Sequence, residues 1–287
     1  MSLFDSLVTL AVQNQPGLGT LRPAVEKELL HHDILREMSE ASLLSHLTFI
    51  GGTCLRLCYG SNRLSEDLDF AGGAQFNKAV LASLGGVLAA MCRDKYGLRV
   101  EVKDPVREAG DVDTWKLKII TRPEEKHLPA QRINVDVCAV PSHDRRPMML
   151  RNHYGVDMGT SGLILQAQSR EEILADKIVA LAFRPNRIKN RDLWDIAWLL
   201  QQGVELRLDL IPLKIADHHR TGPDLIRLLR GRLVPLRLDP AYRTDFVREM
   251  QRFLPAAIVA GTVEKPEFWD YLTRQVAEQC DRVFTSL

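Results

Sequence analysis

The stretch GGTCLRLCYGSNRLSEDLDF, from Gly51 to Phe70, constrains the fold of this chain more than any other feature. The preceding LTFI predicts a short strand that ends at the glycine pair, TCLRLCY predicts a helix, and LSEDLDF predicts a second strand. Residues two apart in a strand face the same side, so Asp67 and Asp69 share one face while Leu68 packs on the other.

The two carboxylates and the glycine turn together indicate a site for a metal and an anion. Neighbouring carboxylates repel unless a cation lies between them, and hard oxygen ligands suit Mg²⁺. Gly51, Gly52 and Thr53 begin a helix, whose exposed N–H groups bind phosphate readily. Each feature alone has a plainer explanation, a solvated strand face or an ordinary turn. Their combination predicts an anion site beside a metal site.

A third acidic residue, Asp136, lies in the centre of the predicted strand RINVDVCAV. Alternation puts Val135 and Val137 on one face of that strand and Asp136 on the other. A partly exposed edge strand would explain an isolated acid. A third carboxylate could instead complete a two-metal site or act as base on an incoming hydroxyl.

The predicted elements divide the chain into a mixed-sheet part and a helical part. Before residue 141 we expect helices at about 23–44 and 76–96, and further strands in LRVEVKD, TWKLKIITR and RINVDVCAV. From residue 169 onward the pattern predicts only helices, over 169–183, 190–202, 224–230, 241–253 and after residue 266. We therefore predict an α+β fold, with a mixed-sheet core and N-terminal helices at 1–160 and a C-terminal helical domain at 161–287 that closes the active cleft.

The composition excludes several classes of protein. The 38 basic and 37 acidic residues give a net charge of +1, so only a local basic surface could attract a nucleic acid. No apolar run could span a bilayer, and an acidic residue near the start argues against a signal peptide. The 5 cysteines are scattered in apolar surroundings, as free thiols of a reducing compartment are. We expect a cytoplasmic protein without a membrane partner.

The helical part carries a lysine on an apolar stripe and two acids on the next helix. Lys177 lies in SREEILADKIVALAF between apolar residues one turn away on each side, so its ammonium extends to solvent, reaches a buried partner or meets phosphate oxygens. Asp192 and Asp195 lie one turn apart, where acids also stabilise a helix N-terminus. A solvated face or contacts with an RNA backbone would explain the nearby basic cluster, Arg184, Arg187, Lys189 and Arg191.

These motifs, in order from about residue 45 to 200, resemble the nucleotidyltransferase superfamily that includes polymerase β. That pattern is a Gly-Ser, then D-x-D or D-x-E, then a third acid on another strand; here the first motif is Gly52-Thr53, which keeps the hydroxyl. The narrower pattern R-x-S-x-D-x-D, at Arg63, Ser65, Asp67 and Asp69, resembles the AbiEii-type toxins of type IV toxin–antitoxin and abortive-infection systems. A lysine helix followed by an R-D-x-x-D helix extends the resemblance.

The resemblance implies a nucleotidyltransferase that moves NMP from an NTP to an acceptor hydroxyl and releases pyrophosphate. Asp67 and Asp69 would hold Mg²⁺, and Asp136 would hold a second Mg²⁺ or activate the acceptor. Asp192 or Asp195 would orient Lys177, the base or a nucleotide group. The expected acceptor is RNA, at the 3′ end of tRNA, and a cognate antitoxin would restrain the toxin. The residues expected to bind the nucleotide are Gly51, Gly52, Thr53, Arg63, Ser65 and Lys177.

Two alternatives stay open at this point. A nucleotidyltransferase with a small-molecule acceptor of the antibiotic type, or with a protein acceptor, would use the same chemistry, and the arginine clusters argue against it. A non-catalytic module that binds NTP or RNA would have no need of all three acids.

Overall fold

The protein is described by a computed structural model that covers residues 2–106, 111–124 and 129–287. The chain divides into two units, Met1–Gln168 and Ser169–Leu287. The first unit includes the strand Ile164–Gln168, which pairs with another strand of that unit.

The first unit contains a seven-stranded mixed sheet within the described residues, with the order β3-β4-β5-β2-β1-β7-β6. The pairs β2–β5 and β1–β7 are parallel, and the other neighbours are antiparallel. The two strands that flank the glycine motif therefore lie in the middle of the sheet. In chain order the strands are β1 Thr48–Ile50, β2 Leu68–Ala71, β3 Arg99–Lys103, β4 Val112–Ile120, β5 Gln131–Cys138, β6 Arg145–Met149 and β7 Ile164–Gln168.

In the described part of the first unit, four α-helices accompany this sheet, and two of the predicted helices differ from them in bounds. The helix expected at 23–44 ends at Glu40 because Ser42 takes a left-handed φ of 59° and Leu43 N–H bonds back to the Met38 carbonyl at 2.8 Å. The helix expected at 76–96 is a 3₁₀ turn, Lys78–Leu81, followed by a separate helix. The helices are α1 Leu3–Asn14, α2 Arg22–Glu40, α3 Gly51–Tyr59 and α4 Leu84–Tyr96.

The second unit is helical throughout its regular elements, as the periodicity predicts. Ser169 begins its first helix, where the serine hydroxyl accepts a hydrogen bond from Glu172 N–H at 3.1 Å. A short π-helical segment, Val259–Val263, precedes the last helix. The α-helices are α5 Arg170–Phe183, α6 Asn190–Gln201, α7 Leu210–Asp217, α8 Gly222–Leu238, α9 Pro240–Met250, α10 Ala256–Ile258 and α11 Pro266–Ser286.

The predicted fold class, a mixed-sheet core followed by a helical part, is confirmed. The prediction missed the strands β6 and β7 and the helices α7 and α10, and it gave no bounds for α1. Within the described ranges, none of the helices combines the length and the apolar character that crossing a membrane requires.

Candidate functional site

Two carboxylates lie side by side on the central strands. β2 and β5 pair in parallel with Asp69 opposite Asp136, and Leu68 opposite Val135. Leu68 and Val135 are fully buried, whereas both carboxylates are half-buried. Side chains alternate along a strand, so the buried leucine and valine hold one face of the sheet in the core and the two carboxylates share the other.

Asp67 precedes β2 and is held by the neighbouring strand. Its Oδ1 accepts a hydrogen bond from the backbone N–H of Asn134 at 2.9 Å. Asn134 lies two residues before Asp136 on β5, so this bond brings Asp67 toward the strand that carries the third acid. The strand begins at Leu68, later than the LSEDLDF pattern predicts, and Asp67 is therefore a loop residue fixed by a side-chain contact.

The glycine pair allows the start of α3 to approach these groups. Gly51 has a φ of +76°, and a Cβ atom there would lie 2.9 Å from Asp69 Oδ2. A Cβ atom at Gly52 would clash with the guanidinium of Arg63. Glycine is required at the first position by backbone conformation and by contact, and at the second by contact.

A buried polar layer joins α3 to the segment before β2. The hydroxyls of Thr53 and Ser65 lie 2.6 Å apart, and Thr53 Oγ1 also hydrogen-bonds to the backbone carbonyl of Asp67. Arg63 is 2% exposed, and its Nη1 donates to the Leu64 carbonyl at 3.0 Å. These residues were expected to bind the nucleotide. In the structure they are buried, and their contacts fix the backbone that leads into Asp67.

The carboxylates beside α3 form a partial ligand set for Mg²⁺. Within the described ranges, no group of three or more His, Cys, Asp or Glu side chains is arranged to hold a metal ion. Mg²⁺ commonly takes only one or two protein carboxylates and fills its shell with water and substrate phosphates. Asp67 and Asp69 fit this partial ligand set, with Asp69 held against the first turn of α3. Asp136 lies beside Asp69 on the neighbouring strand.

In the second unit, Lys177 lies between two carboxylates of α6. Its Nζ is 2.6 Å from Asp192 Oδ1 and 2.9 Å from Asp195 Oδ2. Arg184 Nε also lies 2.7 Å from Asp192 Oδ2. Burial would raise the pKa of Asp192, but the charges of Lys177 and Arg184 outweigh it and lower that pKa to about 2. The sequence allowed the Lys177 ammonium to reach solvent, a buried partner or phosphate oxygens. In the structure it contacts buried carboxylates.

The four basic residues expected to bind RNA have different surroundings. Arg187 is exposed and lies 4.0 Å from Asp245, and Lys189 is also exposed. Arg184 pairs with a buried carboxylate, as described above. Arg191 lies 3.4 Å from Glu249 and its guanidinium stacks over the ring of a nearby phenylalanine. Arg187 and Lys189 are thus the more accessible members of this cluster.

Glu28, on α2, is a buried residue next to the site that was not among the predicted site residues. This carboxylate is fully buried and accepts a hydrogen bond from Ser65 N–H at 3.0 Å. A signal was present, because helical spacing places Glu28 on the same face as Val25 and Leu35, where an acid needs a buried partner.

Comparisons with known proteins agree with the motifs and the fold. The family described as nucleotidyl transferase AbiEii toxin, type IV toxin–antitoxin system, has a sequence model that matches residues 33–274. A Helicobacter pylori crystal structure described as a candidate nucleotidyltransferase is similar with a TM-score of 0.50 and 16% identity, covering 90% of this chain and 97% of that chain. The crystal structure of JHP933 from Helicobacter pylori has a TM-score of 0.46 and 18% identity, covering 90% of this chain and 94% of the other. A search of curated proteins finds no match.

Proposed function

Because the chain belongs to the AbiEii nucleotidyltransferase toxin family of type IV toxin–antitoxin systems, we propose that it transfers NMP from an NTP to an RNA hydroxyl. The observation that carries this proposal is the pairing of Asp69 with Asp136, next to the first turn of α3. It joins an oxygen ligand set for a cation to a helix N-terminus suited to phosphate.

The proposed reaction is a substitution at the α-phosphorus. The acceptor hydroxyl oxygen forms a bond to that phosphorus, the bond to the bridging oxygen of the β-phosphate breaks, and pyrophosphate leaves. Asp136 lies on the strand next to Asp69 and acts as the base that takes the proton of the hydroxyl. When bound, Mg²⁺ supplies charge neutralisation at the phosphates, and Asp67 and Asp69 are the residues that would hold it. A second Mg²⁺ at Asp136 is the other role open to that residue.

The phosphates would be bound by the first turn of α3. Backbone N–H groups of Gly51, Gly52 and Thr53 have no partner four residues earlier within the helix, and the helix dipole favours negative charge at this end. The buried Thr53–Ser65 contact would hold that turn in place. The roles at the triphosphate that were predicted for Arg63 and Lys177 stay predictions.

The choice of RNA as acceptor is supported by the exposed Arg187 and Lys189, since cations at a surface attract a polyanion. The tRNA 3′ end as acceptor, and restraint by a cognate antitoxin, follow from the family resemblance and belong to the same proposal.

The proposal is tested by incubating the protein with Mg²⁺, each α-³²P-labelled NTP in turn and total bacterial RNA. Label on a tRNA-sized band, lost in Asp69→Asn, supports an RNA nucleotidyltransferase and identifies its nucleotide. Pyrophosphate release without labelled RNA would replace RNA by a small-molecule or protein acceptor. NTP binding without turnover would leave a non-catalytic binding module.

A further inference from the structure

A buried carboxylate lies behind the candidate site, on the helix α2. Glu28 is 0% exposed, and both of its oxygens are engaged. Arg56 Nε lies 3.0 Å from Oε2, Ser65 N–H donates to Oε1 at 3.0 Å, and the Tyr154 hydroxyl donates to Oε2. Three donors from different parts of the chain thus converge on the two oxygens of this carboxylate.

Two further residues of α2 hold the residue that follows Ser65. His31 Nε2 lies 3.1 Å from the backbone carbonyl of Glu66, and Lys27 Nζ lies 2.8 Å from Glu66 Oε1. Because a carbonyl can only accept, His31 must carry its proton on Nε2. One face of α2 therefore contacts two consecutive residues immediately before Asp67.

The same segment is held from the side of α3. Ser65 Oγ lies 2.6 Å from Thr53 Oγ1, which hydrogen-bonds to the Asp67 carbonyl. The backbone from Ser65 to Asp67 is thus fixed between two helices, and the bond from Glu28 is the contact that fixes the Ser65 amide.

We propose that Glu28 is a positioning residue, which holds the Ser65 amide so that Asp67 and Asp69 keep the geometry required for Mg²⁺ and the triphosphate. The inference rests on the proposed function, because Asp67 and Asp69 are the residues that would hold Mg²⁺ in the proposed reaction. Residues that orient ligands without touching the metal are commonly as important to a metal site as the ligands themselves.

Glu26 provides a matched control on the same helix. It is 1% exposed and pairs with Arg122, so it is also a buried carboxylate with an arginine partner. Its other contacts are Arg22 on the same helix, with Nε 3.5 Å from Oε1, and the side-chain amide of Gln131 at the start of β5. None of them is the segment before Asp67. If buried carboxylates on α2 had only a structural role, substitution of Glu28 or of Glu26 would reduce activity only as far as it reduces stability.

The experiment compares Glu28→Gln with Glu26→Gln in melting temperature, kcat, Mg²⁺ half-saturation and hydrogen exchange at the Ser65 amide. The glutamine amide has one accepting oxygen in place of two, so one donor around residue 28 loses its acceptor. For Glu28→Gln we expect about a 10- to 100-fold loss in activity or Mg²⁺ affinity, as for other residues that orient metal ligands. Exchange at Ser65 should become faster. For Glu26→Gln we expect a lower melting temperature without a change in Mg²⁺ half-saturation.

The proposal would be overturned if both variants lost activity only in proportion to their decrease in melting temperature, with the Mg²⁺ concentration for half-saturation unchanged. If Glu28→Gln does not fold, Glu28→Leu combined with Arg56→Met removes both charges together, which buried pairs often tolerate. That double variant should fold and lose transfer; wild-type turnover in it would equally overturn the proposal.

Hydrogen exchange at the Ser65 amide distinguishes failure of the positioning role from failure of the proposed reaction. An inactive wild type in which Glu28→Gln still speeds exchange at Ser65 would overturn the reaction and support the positioning contact. An active wild type in which exchange and Mg²⁺ half-saturation are unaffected by Glu28→Gln would overturn the positioning role alone.

Discussion

Asp69 on β2 and Asp136 on β5 are register partners in the parallel centre of the sheet. Two carboxylates in this relationship repel each other, and a cation between them relieves the repulsion. Binding of Mg²⁺ with a nucleotide should therefore stabilise the fold.

The first prediction concerns this stabilisation. A non-hydrolysable NTP with Mg²⁺ at 100 times its dissociation constant should raise the free energy of unfolding by about 2.7 kcal/mol, measured by urea unfolding. Asp69→Asn should abolish the effect. Asp94→Asn, which alters an exposed acid on α4, should keep it. A variant at Asp69 that responds like wild type would remove this residue from the nucleotide site.

Gly51 gives a second prediction. Gly51→Ala and Gly73→Ala both place a side chain at positive φ, +76° and +83°, and each should cost about 1–2 kcal/mol of stability. The methyl added at Gly51 would lie 2.9 Å from Asp69 Oδ2. The methyl added at Gly73 would have no neighbouring atom within 4 Å. Gly51→Ala should therefore lose Mg²⁺-dependent NTP binding as well, in a binding titration. Equal binding by the two variants would show that the contact with Asp69 has no role in the site.

The strands that carry the acids were predictable because their other face is apolar. Leu68 and Phe70 on one strand, and Val135 and Val137 on the other, give clear alternation. The pairing of these strands was not predictable, since register is set by tertiary contacts between segments distant in the chain.

The missed features also have physical reasons. β6 is an edge strand with the sequence RRPMM, and an edge strand tolerates a proline and two arginines that hide any alternation. Glu28 was overlooked because most glutamates on helices are solvated, and the burial of this one depends on tertiary contacts with Arg56, Ser65 and Tyr154.

The third prediction concerns the buried lysine of the second unit. Lys177→Met removes the cation from between Asp192 and Asp195 and should lower the free energy of unfolding by about 3–5 kcal/mol in urea denaturation. Adding Asp195→Asn should restore part of the loss, because the remaining buried charge is then smaller. Lys189→Met, at an exposed position beside α6, is the control. Equal stability of the Lys177 and Lys189 variants would contradict a structural ion cluster.

The fourth prediction is a pH dependence of stability. Burial opposes protonation of the imidazole and lowers the pKa of His31 from 6.5 to about 4. Below pH 6.5 the unfolded chain takes up a proton at His31 that the folded chain does not. The contribution of His31 to the free energy of unfolding is therefore complete above pH 6.5 and is lost as the pH falls toward 4. Between about pH 7 and about pH 5, the loss from this histidine should be about 2 kcal/mol.

His31→Gln keeps a donor for the Glu66 carbonyl but does not titrate in this range. Its unfolding free energy should fall less steeply between the two pH values than that of wild type. His46→Gln, at an exposed histidine, is the control. An unchanged slope in His31→Gln would show that His31 does not contribute to the pH dependence of stability.

The most direct test of the central claim follows the two ends of the triphosphate. Parallel reactions with RNA contain the same NTP labelled at the α- or the γ-phosphate, with wild type and Asp69→Asn. Nucleotidyl transfer at Asp69 and Asp136 predicts that wild type attaches the α-label to RNA and releases the γ-label in pyrophosphate, and that the variant does neither. Attachment of the γ-label would indicate phosphoryl transfer instead, and α-label transfer that persists in Asp69→Asn would place the reaction away from this pair of carboxylates.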